Sequence, residues 1–185
     1  MIKTKAALSF LLLIFIADYA KAQGQQSFSN YIEPGYQITP LLSSSASFIE
    51  IEAGRQLPGG FSYGAIFHFL VSDVSETSQN QFQSVSSLWY AGTRIQYSSE
   101  INPRLSFYGG STFGAGITNY RKDVFDLSTQ GAALIGFRPE FGARFTLTDL
   151  VRINAGINLF YGYLFQSPDN LTGFPSLRIG LRLGR

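Results

Sequence analysis

The chain has 185 residues, 14 of them Lys or Arg and 12 Asp or Glu, with one His and no Cys. So even a balance of charge argues against nucleic acid as a partner. No disulfide can staple the fold, and no Cys or His cluster can hold a transition metal.

MIKTK opens the chain with basic residues, and Ala6 to Ile16 is an apolar run of signal-peptide length. Ala20-Lys21-Ala22 supplies a small-x-small cleavage pattern, so residues 1–22 read as a signal peptide and residues 23–185 as the mature domain. The run is too short to cross ~30 Å of hydrocarbon as a helix. No Cys follows the cleavage site to carry a lipid anchor. The leader holds three of the lysines and one aspartate, so the remainder is formally neutral, and ten of its eleven cations are Arg.

After the leader the chain alternates with a period of two, the signature of strands. Eight runs are expected: 29–39, 46–57, 60–72, 84–99, 103–118, 131–147, 151–165 and 174–184. Three connections are short and turn-like: Leu57-Pro58-Gly59-Gly60, residues 99–103 and Thr148-Asp149-Leu150. Four others, at 40–45, 73–83, 119–130 and 166–173, are longer and polar. Long and short connections alternate along the chain, as in outer-membrane barrels with short periplasmic turns and long extracellular loops. The expected fold is therefore all-β, an eight-stranded antiparallel up-and-down transmembrane β-barrel.

Each run has an apolar face, such as Phe61, Tyr63, Ala65, Phe67 and Phe69, or Leu177, Ile179, Leu181 and Leu183. The opposite face carries Glu33, Glu50, Glu52, Arg94, Arg138, Glu140, Arg144, Arg152, Arg178 and Arg182. Alternation by itself also fits a soluble lipocalin-type barrel with an apolar interior. An eight-stranded interior, however, has room only for side chains or one small ligand, and so many Phe, Tyr, Trp, Ile and Leu would overfill it. Nearly all the strand glycines share the charged face, with Gly109 the exception, and glycine in a strand marks tight curvature or close approach. The charged face is therefore expected inside, and the apolar face in lipid. Outward aromatics fall toward strand ends, at Phe61 and Phe69, Trp89 and Tyr97, Phe107 and Phe113, and Tyr161, Tyr163 and Phe165, as an interfacial girdle requires. Pro139, inside GFRPEFG, removes a ladder donor. The outward phase of Phe137, Phe141, Ala143 and Phe145 runs straight through it, so no single-residue bulge is expected.

The ten inward charges form a lumen network in which opposite signs should pair, since unpaired charges in a narrow interior are costly. A polar plug and a narrow, weakly anion-preferring channel both remain open. His68 is phased inward, whereas a lipid hydrolase would need a His and a Ser together on the lipid side. No catalytic residue is expected. SDVSE and the Asp123 and Asp126 pair lack the dense oxygen spacing of a calcium loop, so no metal or cofactor is expected. The candidate recognition surfaces are the loops at 119–130 and 73–83; in the first, Tyr120, Arg121, Lys122 and Phe125 mix aromatic and cationic groups.

On ASFIEIEAGRQLPGGFSYGAIF, INPRLSFYGGSTFGAG and FPSLRIGLRLGR, the mature chain resembles the small, porin-like eight-stranded outer-membrane β-barrels of Gram-negative bacteria. It is similar to the barrels of outer-membrane proteins A and X and of the opacity type, and to the outer membrane protein beta-barrel domain proteins of the Bacteroidota. The resemblance implies insertion into membrane lipid by the barrel-assembly machinery. Such chains usually end in an aromatic residue, and this one reads Leu183-Gly184-Arg185. The expected function is non-enzymatic: a structural, adhesive or assembly role, with a protein partner held through extracellular loops. The competing readings are a narrow channel, a lipid-modifying outer-membrane enzyme and a soluble binder.

Overall fold

A computed structural model describes residues 29–41, 44–72, 74–78, 81–121, 130–165, 171–172 and 175–184. The expected signal peptide, residues 1–22, lies outside them. The strands are β1 (Ser29–Leu41), β2 (Ser44–Gln56), β3 (Phe61–Leu70), β4 (Val74–Ser78), β5 (Gln81–Asn102), β6 (Leu105–Arg121), β7 (Gln130–Thr148), β8 (Val151–Asn158), β9 (Tyr161–Leu164), β10 (Leu171–Thr172) and β11 (Ser176–Gly184). Eight of them close a ring in the order β1, β2, β3, β5, β6, β7, β8, β11 and back to β1, every pairing antiparallel. Closure leaves the eight-stranded ring itself without an open edge, the condition for strands to cross a membrane. β9 continues β8 along β7, while β4 and β10 are short pieces paired with β5 and β9.

At one end the ring turns tightly. In Leu57–Phe61 the turn is closed by Leu57 N–H donating to Phe61 O at 2.7 Å. Gly59 and Gly60 have φ of 81° and 89°, a left-handed conformation that glycine adopts without steric cost. At Asn102–Leu105 the Asn102 Oδ1 accepts from the backbone of both Arg104 and Leu105 at 2.9 Å, which mimics a backbone turn. Thr148 Oγ1 does the same for Leu150 at 3.3 Å.

The other end departs from expectation. Residues 40–45 are no long loop, because Pro40 pairs with Ser45 and Leu41 with Ser44. Much of the expected 73–83 loop is ladder, with Val74 to Ser78 pairing back onto Val85 to Gln81. Asn119 to Arg121 and Gln130 are strand as well. A transmembrane strand needs only ~9–11 residues, so β5, with 22, extends well beyond a bilayer. Polar composition suggested loops; a ladder projecting into water tolerates the same polarity.

The break between β8 and β9 has a local cause. Leu159 N–H donates to Pro139 O at 3.1 Å. In an antiparallel ladder such a pair exchanges two bonds, and proline has no N–H to return the second. Phe137 still pairs with Tyr161 and Glu140 with Asn158. Two residues therefore face two, and the register passes through without a bulge, as the phase of the sequence required.

The outer wall is apolar, including Ile32, Ile51, Phe67, Ile95, Phe113, Phe141 and Leu177, all exposed. Phe113 is not near a strand end. It is the middle residue of β6, and its ring lies 4.8 Å from that of Phe137. Glycines line the inner side, and Gly109 faces out. Gly142 on β7 pairs with Gly156 on β8, and a Cβ on either would stand 2.6 or 2.5 Å from Tyr108 Oη. That pair is the space into which Tyr108 fits.

Candidate functional site

The lumen has three levels. Nearest the loop end, Phe48, Leu88, Tyr90, Leu134, Phe160 and Leu164 form the centre of a buried apolar cluster inside the ring. Tyr90 stacks on His68 with centroids 4.4 Å apart. The void between this cluster and the charges below it is about 10 Å³, room for one water at most.

The middle level is ionic. Alternation on β1, β2, β5, β7 and β11 points Glu33, Glu50, Glu52, Arg94, Arg138, Glu140, Arg178 and Arg182 inward, and all eight are buried. Arg94 lies at the hub. Its guanidinium pairs with Glu52, lies 3.0 Å from Glu140 and 3.5 Å from Glu50, and reaches Glu33 at 4.0 Å. Glu50 also accepts from Arg178 and, at 3.0 Å, from Arg138 Nη1. Glu33 takes Arg178 Nη2 and Arg182 Nε, each at 2.6 Å. Neutral groups complete the lattice. Tyr31 donates to Glu52 and Gln96 to Glu140, while Gln37 Oε1 accepts from Arg138 at 2.7 Å and Asn158 at 3.2 Å. His68 Nδ1 lies 3.4 Å from Glu50 and 3.3 Å from Arg138. The histidine is 1 % exposed, walled off from the lipid face.

The third level opens at the turn end. A cavity of about 360 Å³ lies between Gln56, Ser98, Ser106, Arg144, Thr146 and Arg152. Arg144 and Arg152 face the lumen, but neither has a carboxylate within 4.0 Å among the described residues. They stand apart from the expected paired network because its four glutamates are taken by the arginines above. Of the candidate loop contacts, Tyr120 and Arg121 belong to the end of β6, and Tyr120 packs against the apolar cluster. Lys122 and Phe125 lie outside the described residues. Among the described residues no group of three or more His, Cys, Asp or Glu is placed to hold a metal.

Sequence reasoning missed the apolar level and the neutral members Tyr31, Gln37, Gln96, Asn154 and Asn158. Their signal was present. Each shares the inward phase with a charge a few residues away, as Phe48 does with Glu50.

A closed ring of eight antiparallel strands, with an apolar wall and a packed ionic interior, has the architecture of an outer-membrane β-barrel. Comparison with solved structures gives the same fold. Neisserial surface protein A superposes with a TM-score of 0.58 at 15 % identity, covering 87 % of this chain and 99 % of its own. Ail, the attachment invasion locus protein of Yersinia pestis, solved in complex with the heparin analogue sucrose octasulfate, gives 0.58 at 13 %, covering 86 % and 100 %. The N-terminal β-barrel domain of Pseudomonas aeruginosa OprF gives 0.57 at 11 %, covering 85 % and 97 %. No family model matches the chain, and no curated protein matches it by sequence.

Proposed function

We propose that this chain is an integral outer-membrane protein of a Gram-negative bacterium, exported with loss of residues 1–22 and inserted by the barrel-assembly machinery. It acts as a non-enzymatic, sealed barrel serving structure, adhesion or assembly through its loop end. The observation that carries this reading is the filled lumen. An apolar cluster sits over an ionic lattice, and the void between them is about 10 Å³. A conducting pore needs a continuous wet path; this interior favours a plug. The burial of His68 against Glu50, Arg138 and Tyr90 favours a packing role over catalysis on lipid. The names of two similar proteins, a surface protein and an attachment protein, agree with work at the cell surface.

Planar-bilayer recording on the purified, refolded barrel tests this. The expected result is a silent bilayer. Discrete, reproducible conductance steps that disappear on Arg94→Met would establish the channel reading in its place.

A further inference from the structure

The buried charges of the lumen do not balance. Glu33, Glu50, Glu52 and Glu140 are buried together with Arg94, Arg138, Arg144, Arg178 and Arg182. The surplus cation can be located. Each of the other four arginines lies within 4.0 Å of a carboxylate. Arg144 is 3 % exposed, and its partners are neutral: Nε donates to Asn154 Oδ1 at 2.9 Å and Nη2 to Gln96 Oε1 at 3.3 Å. A buried cation without a counter-charge is costly.

Arg144 forms part of the wall of the 360 Å³ cavity at the turn end, a space far above the ~10–15 Å³ that one water needs. Arg152, half-buried, lines the same cavity with no carboxylate within 4.0 Å among the described residues, Glu100 and Asp149 acting on it from farther off. The acids of that cavity, Glu100 and Asp149, are exposed. The most deeply buried charge is thus positive, and the negative charges lie toward water.

We propose that this vestibule binds a small oxyanion, a carboxylate or phosphate group, which enters from the turn end and supplies the charge the lumen lacks. A guanidinium fork matches such oxygens in shape and charge, and Ser98, Ser106 and Gln56 add polar groups to the wall. Entry is one-sided, because the apolar cluster closes the loop end. The exposed acids at the mouth favour a solute whose far end is cationic. A short peptide, with its carboxylate inward and its ammonium outward, meets both demands. The site lies at the turn end whichever compartment that end faces, so it stands independently of the topology proposed above.

The test is calorimetric titration of the refolded barrel in a zwitterionic detergent at low chloride, with inorganic phosphate, glycylglycine and the C-terminal amide of glycylglycine as probes. Saturable one-site binding of phosphate or glycylglycine is expected, with the amide inert. Binding of glycylglycine alone identifies the source as a carboxylate solute, and binding of phosphate alone as a phosphate. Arg144→Gln should weaken binding by about tenfold or more, since it removes a charge-assisted hydrogen bond. Arg152→Gln, at a half-buried site, and Thr146→Trp, which fills the cavity, provide the same test should Arg144→Gln misfold. Absence of binding by both anions overturns the proposal. So does binding that survives in every variant that folds.

Discussion

Arg94 reaches all four buried glutamates, and each of those also accepts from some other donor. Removing the hub therefore leaves carboxylates that remain hydrogen-bonded but lose their shared counter-charge. Arg94→Met should cost about 3–5 kcal/mol, the usual penalty for breaking a buried ion pair from one side. Adding Glu52→Gln should recover part of that loss, because it removes the charge left uncompensated. Urea unfolding from lipid vesicles measures both, and strictly additive losses would show that the two groups act separately. On the outer wall, Phe141 is 61 % exposed on the apolar face. Phe141→Arg should cost up to ~2–4 kcal/mol if the position lies near the bilayer midplane and less toward an interface. Loss of that penalty when the same barrel is unfolded from detergent micelles would assign it to the bilayer.

At the scale of the strand, the seam between β7 and β8 lacks one ladder bond, at Pro139 opposite Leu159. Pro139→Ala restores the donor at a position whose register is already correct. It should stabilise the barrel by about 1 kcal/mol and slow amide exchange at Leu159 and Phe160. Faster exchange there would mean that the ring, not the bond, was holding the seam. This seam also shows what the sequence could and could not reveal. A period of two assigns each side chain to a face, so Phe160 and Leu164 could be placed inward beside Asn158 from the chain alone. It says nothing of height along the barrel axis. Height depends on the stagger between neighbouring strands, which no single strand encodes. Phe48 and Glu50 therefore read as equivalent, although one belongs to the apolar cluster and the other to the ionic lattice. For the same reason the deficit at Arg144 was invisible. Its phase put it in the lumen, but only the register put it one level below the glutamates.

The whole molecule is sided: tight turns and an open cavity at one end, extended ladders and an apolar closure at the other. Single-cysteine labelling can orient it, since the chain has no Cys of its own. Ser45 is exposed in the hairpin between β1 and β2, and Gly59 in the turn between β2 and β3. With short turns in the periplasm, an impermeant thiol reagent on intact cells should mark Ser45→Cys and spare Gly59→Cys. The opposite labelling would put the cavity mouth outside the cell.

The apolar cluster in the loop-end half has a practical corollary. It seals the wall from within, using strand residues, so the connecting segments need not cover the opening. Foreign peptides grafted between Arg121 and Gln130 should therefore leave the barrel watertight and folded. That would make the chain a display scaffold whose presented sequence can be exchanged without re-engineering its support.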